Sequence, residues 1–176
     1  IDYFIIDLVN KRITSNYNDG LISLLSNINK IEIINEDKSK KMIINGNLIA
    51  QRVKEEVRCE IKHLKSLGIT PGLAVIIVGT NPASEIYVKN KQKACESLGI
   101  YSKKISLPEN ISESDLLRII DELNVNKNIH GILAQLPLPP HINEQRVAER
   151  IHPDKDVDAF SYVNIGKLIT GNACLI

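Results

Sequence analysis

Tryptophan is absent from this sequence, and aromatic residues make up only 4% of it. A surface that holds nucleic acid by stacking bases on aromatic rings is therefore not expected. An excess of one charge is missing too. Lys and Arg total 22 against 21 Asp and Glu, a formal net charge of +1, which argues against nucleic acid or an anionic membrane as the main partner. No apolar run is long enough to cross a bilayer. Cysteine is scarce: Cys59, Cys95 and Cys174 are odd in number with no close pair. That excludes a C-x-x-C metal or redox site, points to a reducing compartment and leaves them as small core residues. The G-x-G-x-x-G turn of a dinucleotide site does not occur. What remains, 43% hydrophobic and 24% charged over 176 residues, is the balance of a soluble intracellular globular protein with one full core.

The two ends stand apart from the middle. The chain opens on Ile1 and not Met, which implies processing or a fragment, and Leu175-Ile176 after Gly171-Asn172 reads as a cut. Residues 1–41 are rich in Asn, Ile, Asp and Lys and finish in the charged run Glu36 to Lys41. Leu21, Leu24, Leu25 and Ile28 have helical spacing there. A transit peptide is Arg-rich and poor in acids, whereas Asp2, Asp7, Asp19, Glu32 and Glu36 interrupt this segment. It reads as a loosely ordered extension with a short helix; the alternative is a mitochondrial or plastid leader whose start is missing.

From Met42 onward the periodicity is clean. Ile43 and Ile44 suggest a short strand, and Asn47 a cap for a helix bearing Leu48, Val53, Val57, Ile61 and Leu64, stopped at Gly68. Leu73 to Val78 is a strand, followed by a helix through Tyr87 and Lys91 to Gly99 and a strand from Tyr101 to Leu107. Ser112 caps a helix to Asn126, with Asp115 at the capping-box position. Ile129 to Leu136 is a strand, Asn143 to Ile151 a helix and Val163 to Thr170 another. Strands alternating with helices at crossover spacing predict an α/β fold, a mostly parallel sheet covered on both faces.

Three places carry chemistry. Tyr87 and Lys91 are four apart, so phenol and ammonium share one helix face, and a strand–Gly79–helix path aims them at the carboxyl edge of the sheet. On the pair alone, a solvated face bearing Lys89, Lys91 and Lys93 is an equal reading. Gln135 weighs against it. An amide in an otherwise apolar strand entering Leu136-Pro137-Leu138-Pro139-Pro140 needs a partner, since burying it unpaired costs roughly 1–3 kcal/mol. The prolines cannot continue a central strand and must turn out as a rim. The third place is His152-Pro153-Asp154-Lys155-Asp156-Val157-Asp158-Ala159-Phe160, where three carboxylates alternate. It lacks the glycine and distant glutamate of a calcium loop, and Asp158, beside Val157 and Phe160, reads as a single buried carboxylate suited to ligand N–H groups. His63, His130, His141 and His152 have no metal-ligand spacing, so no metal is expected.

Together, Pro71-Gly72-Leu73-Ala74, Ala83-Ser84-x-x-Tyr87-Val88-x-x-Lys91, Gly131-Ile132-x-x-Gln135-Leu136-Pro137-Leu138-Pro139 and Lys155-Asp156-Val157-Asp158 resemble the bifunctional methylenetetrahydrofolate dehydrogenase/methenyltetrahydrofolate cyclohydrolase family. The likeness runs from about Met42 to Gly171, and Asn164-x-Gly166-Lys167-Leu168 resembles the family's approach to its second domain. It departs at Ala159, where the family has glycine, and the chain stops where the family continues into an NADP-binding Rossmann domain.

The resemblance implies a three-layer αβα domain like the N-terminal domain of amino-acid dehydrogenases. It also implies a folate-binding catalytic unit over 42–171 and a linker beginning at 172–176. By resemblance Lys91 transfers protons, Tyr87 flanks the folate, Gln135 positions and tunes Lys91, Leu136 and Pro137 line the substrate, and Asp158 holds the pterin. The implied activity is NADP-dependent oxidation of methylenetetrahydrofolate and hydrolysis of the product, one-carbon chemistry serving purine biosynthesis, in a cytoplasmic homodimer whose NADP site lies in the second domain. A non-catalytic folate-binding or dimerisation remnant is the other reading.

Overall fold

Residues 46–172 are described by a computed structural model. Strand β1 (Gly72–Val78) buries every side chain, as a central strand covered on both faces must. It lies between β2 (Tyr101–Leu107) and β3 (Gly131–Ala134), both parallel to it. The alternating side chains of β1 feed two cores. Leu73, Val75 and Ile77 pack with Val57, Ile61 and Leu64 of α1 (Gly46–Ser66) and with Val88, Cys95 and Leu98 of α2 (Pro82–Leu98). Ala74, Ile76 and Val78 pack with Leu116, Ile120 and Leu123 of α3 (Glu113–Val125) and with Val147 of α4 (Glu144–Arg150). A last helix, α5, spans Tyr162–Ile169. This is the expected helix–sheet–helix sandwich.

Local chemistry places each boundary. Asn81 accepts from the Ala83 and Ser84 amides at 3.0 and 3.1 Å while Pro82 occupies the first turn, so α2 starts immediately after the β1 turn. Gly99 ends it at φ 80°, a left-handed conformation that favours glycine. Ser112 accepts from the Asp115 amide at 3.1 Å, as its spacing predicts. Gly72 allows the sheet to form, because a Cβ there would lie 2.0 Å from the Asn128 carbonyl oxygen.

Several expectations are corrected. Asn47 is not a cap but lies inside α1, which already includes Gly46. Strand β3 is four residues long, not Ile129 to Leu136. Ile129 is held in a turn by Asn126 O, and beyond Ala134 only the Gln135 amide still reaches β1, donating to Ile76 O at 2.8 Å before the prolines turn the chain away. Cys95 is buried but Cys59 is exposed, on the α1 surface turned away from the Val57–Ile61 stripe. The short strand at Ile43-Ile44, the helix about Leu21–Ile28, Cys174 and the 1–41 extension lie outside the described residues.

Candidate functional site

Because β1 and β3 are parallel neighbours, the start of α2 and the segment after β3 emerge at the same carboxyl edge of the sheet. The helix register does the rest. Lys91, two turns below Ser84 on α2, turns inward, while Lys89 and Lys93 remain in solvent. Its ammonium donates to Gln135 Oε1 at 3.2 Å. Gln135 in turn donates through Nε2 to the Leu136 carbonyl at 3.0 Å, which fixes the amide with its oxygen towards Lys91. The buried Ser84 hydroxyl donates to the same carbonyl at 3.3 Å, tying α2 to the rim a second time. The Leu136–Pro137 peptide bond is cis, and both residues are exposed at the rim. Tyr87 stands one turn before Lys91 with its side chain out, 56% exposed.

The electrostatics of the two ionisable groups are opposed. Burial pushes the Lys91 ammonium below the ordinary lysine value, and the negative charge of Asp158 partly restores it. Burial raises the Asp158 carboxyl above its ordinary value; Lys91 draws it down and Asp156 pushes it further up. The Gln135 amide oxygen, accepting from Lys91 Nζ, holds the amine in place. A cation and an anion, both partly desolvated and each sensing the other, can pass a proton and hold a polar ring.

The carboxylate loop differs from expectation. The fully buried carboxylate is Asp156, 2% exposed, whereas Asp158 is only half-buried and Phe160 is 49% exposed. Asp156 forms a parallel bridge with Ile132 at the free edge of β3, which turns its side chain beneath the start of α5. There it accepts from the Ser161 amide at 2.9 Å and the Asn164 side-chain amide at 3.0 Å. The Ala159 amide then donates to Asp156 O at 3.4 Å, closing a turn over Val157 and Asp158, and Ala159 follows at φ 52°. Asp158 lies near enough to Lys91 for each charge to act on the other. Lys155 anchors the loop from below, donating to Leu123 O at 3.0 Å and Asn126 O at 2.9 Å. Sequence reasoning assigned no part to Ser84 and Asp156. Each stands in a motif beside a residue it did single out, but neither carries a mark of burial in the sequence.

Beyond Asp158 opens an apolar cavity of about 230 Å³ between the end of β3, α4 and α5, lined by Ile132, Leu136, Val147, Ile151 and Ile165. Lys91, Gln135 and Tyr87 are not among its lining residues, whereas Asp158, which senses Lys91, is. Among the described residues no cluster of His, Cys, Asp and Glu could hold a metal ion. His63, His141 and His152 are exposed, and His130 Nδ1 accepts from the Gly72 amide at 3.0 Å.

A parallel sheet with a paired amine and amide at its carboxyl edge defines an α/β domain equipped for acid–base work on a bound ligand. A sequence model described as the tetrahydrofolate dehydrogenase/cyclohydrolase catalytic domain matches residues 44–158. The bifunctional protein FolD of Moorella thermoacetica is 52% identical over 132 residues, 75% of this chain and 47% of the relative. The bifunctional FolD methylenetetrahydrofolate dehydrogenase/cyclohydrolase of Campylobacter jejuni matches with a TM-score of 0.70 at 48% identity, covering 71% of this chain and 44% of that one. The Trypanosoma brucei methylenetetrahydrofolate dehydrogenase–cyclohydrolase, solved with NADP and an inhibitor, gives 0.72 at 34%, covering 76% and 46%. The chain belongs to the tetrahydrofolate dehydrogenase/cyclohydrolase family. It spans about half the length of the curated relatives it matches.

Proposed function

We propose that this chain supplies the folate-binding and proton-transfer half of a methylenetetrahydrofolate dehydrogenase/methenyltetrahydrofolate cyclohydrolase, with residues 42–171 as the catalytic unit and 1–41 as an extension. The observation that carries this reading is the Lys91–Gln135 hydrogen bond, facing Asp158 at the carboxyl edge of the sheet.

Methenyltetrahydrofolate holds an electrophilic carbon between two nitrogens that share a positive charge. Water must lose a proton as it attacks that carbon, and one nitrogen must gain a proton as its bond breaks. Lys91, held towards neutrality by burial, takes the proton from water and, as the ammonium, returns one to the departing nitrogen. Gln135 keeps the amine on its line of approach. Tyr87 flanks the folate, Leu136 and Pro137 form the wall beside it, and Asp158 accepts N–H bonds from the pterin.

The oxidation needs a nicotinamide dinucleotide, and the described residues do not fit one. A pyrophosphate is held by free amides at a helix N-terminus after a strand and a Gly-rich turn. The turn Gly79-Thr80-Asn81-Pro82 leads into α2, where Asn81 already takes the Ala83 and Ser84 amides and Pro82 has none to offer. NADP binding, like homodimer formation, is thus assigned to the whole protein. The test is the loss of methenyltetrahydrofolate absorbance on adding the full-length protein. Hydrolysis no faster than the buffer rate, in a folded sample that binds tetrahydrofolate, would favour the non-catalytic remnant.

A further inference from the structure

Asp156 is a buried carboxylate to which the mechanism above gives no part. Its side chain is 2% exposed and spends its oxygens on the loop and on α5, and it borders the cavity from beneath Asp158. Its partners all belong to the far side of the same turn. Ser161 N–H and the Asn164 amide meet one of its oxygens, and Phe160 N–H points to the other at 3.4 Å. Asn164 also donates to Pro153 O at 2.9 Å, closing the loop from its other end. The residues pinned in this way bracket Val157-Asp158-Ala159, including the one non-glycine residue at positive φ among the described residues. A left-handed alanine is not a conformation its own backbone favours, so the surrounding bonds must hold it.

We infer that Asp156 is the positioning residue for Asp158: by collecting the Ser161 and Asn164 N–H groups, it fixes the turn that presents the Asp158 carboxylate to folate. The inference rests on the folate contact assigned to Asp158 and adds to it the device that holds that contact in place. Ser161 serves the same end from α5, since its hydroxyl caps that helix. An asparagine at 156 could keep the Ser161 and Asn164 bonds on its one oxygen but would turn its NH2 towards the Phe160 N–H, so it would replace the carboxylate only in part.

The test is a double-mutant cycle in the full-length protein, reading KM for methenyltetrahydrofolate hydrolysis in Asp156→Ala, Asp158→Ala and the pair together. Asp156→Ala is expected to raise KM about tenfold, the scale of one lost ligand hydrogen bond. In the pair, KM should be no higher than in Asp158→Ala alone, because a residue that acts only through Asp158 has nothing left to position. KM increases that multiply in the pair would overturn the inference. Asn164→Ala, which trims the network without removing the charge, should raise KM less, and that effect too should vanish without Asp158. If Asp156→Ala does not fold, the Asn164 cycle decides by the same criterion. An unchanged KM in Asp158→Ala sinks the folate contact itself. A raised KM there, with normal KM in both Asp156→Ala and Asn164→Ala, sinks only the positioning role.

Discussion

Replacing Lys91 separates the chemistry of this site from its architecture. Lys91→Met keeps an unbranched apolar stem of similar reach and removes the ammonium. The structural loss is one hydrogen bond of 3.2 Å to Gln135, which on its own contributes about 0.5–1.5 kcal/mol. Gln135 is not fully buried and keeps its bond to Leu136 O, so water can take the vacated place. Against that loss stands the relief of a desolvated charge, the same burial that lowers the lysine's proton affinity. Stability should therefore shift by no more than about 1 kcal/mol in either direction.

The chemical loss is larger. A positioned general acid–base group contributes roughly 10²–10⁴-fold, so hydrolysis of methenyltetrahydrofolate should fall at least a hundredfold. Lys91→Arg makes the comparison sharper. Guanidinium keeps the positive charge and a donor for Gln135 but does not deprotonate, so it should be about as inactive as methionine. Absorbance-monitored hydrolysis and urea melts on the full-length variants are the assays. Arginine restoring most of the rate would show that Lys91 acts as a fixed charge, and near-normal hydrolysis by Lys91→Met would falsify its role altogether.

Three further outcomes are expected. Asp158→Ala should weaken binding of tetrahydrofolate by about 1–3 kcal/mol, since it leaves the pterin N–H groups unpaired, and calorimetric titration giving an unchanged Kd would refute the contact. Ala159→Gly should stabilise the fold by about 1 kcal/mol by releasing the left-handed alanine at φ 52°, read as a raised Tm; a lowered Tm would mean that the flexibility of glycine costs more than the strain it relieves. Stability should also depend on pH through the two opposed groups. Between the lowered Lys91 value and 10.5 the unfolded chain binds more protons, so stability rises with pH; between 3.8 and the raised Asp158 value the folded chain binds more, so stability falls as pH rises. Urea midpoints followed across pH should lose the first trend in Lys91→Met and the second in Asp158→Asn; trends persisting in both variants would place their source elsewhere.

Much of this site could be read from the chain because its main parts obey simple periods. The helix repeat put Lys91 one turn after Tyr87, although Tyr87 turns out to solvent while Lys91 turns in, and Gln135 stood out as an amide in an apolar run. The parallel order of the strands followed from the crossover spacing, and with it the shared edge. What escaped was set by contacts remote in sequence. Asp156 and Asp158 are two apart, and an extended chain would turn both the same way. Only the turn that the Ala159 amide closes onto Asp156 O, over Val157 and Asp158, breaks that pattern, leaving Asp156 inward at its bridge to Ile132 and Asp158 partly exposed. The order of burial was therefore misjudged, with Asp158 read as the buried group. The early end of β3 escaped for a related reason: Gln135 still makes one ladder bond, but the prolines beyond it do not extend the pairing. Ser84 lies in the motif that named Lys91, yet its hydroxyl finds a use only once the Leu136 carbonyl is brought to it from 52 positions away.

The opposed shifts of Lys91 and Asp158 suit a cationic substrate better than either would alone. Burial moves both groups towards their neutral forms, while their mutual attraction holds both towards charge. A positively charged methenyl carbon entering the cleft changes this balance in one direction for both. It repels the ammonium, favouring the amine that can accept a proton from water, and it attracts the carboxylate, favouring the ion that can accept pterin N–H bonds. On the proposed function, attack by water with loss of its proton to Lys91 leaves a neutral adduct, so the substrate's charge is gone and Lys91 holds the proton as the ammonium until it passes to the nitrogen whose bond breaks. On that same proposal, the two side chains would bind the cation, accept the proton and return it without any movement of the sheet that carries them. The rigidity needed for that comes from β1, buried on both faces, and from α2, tied to the rim through both Ser84 and Lys91.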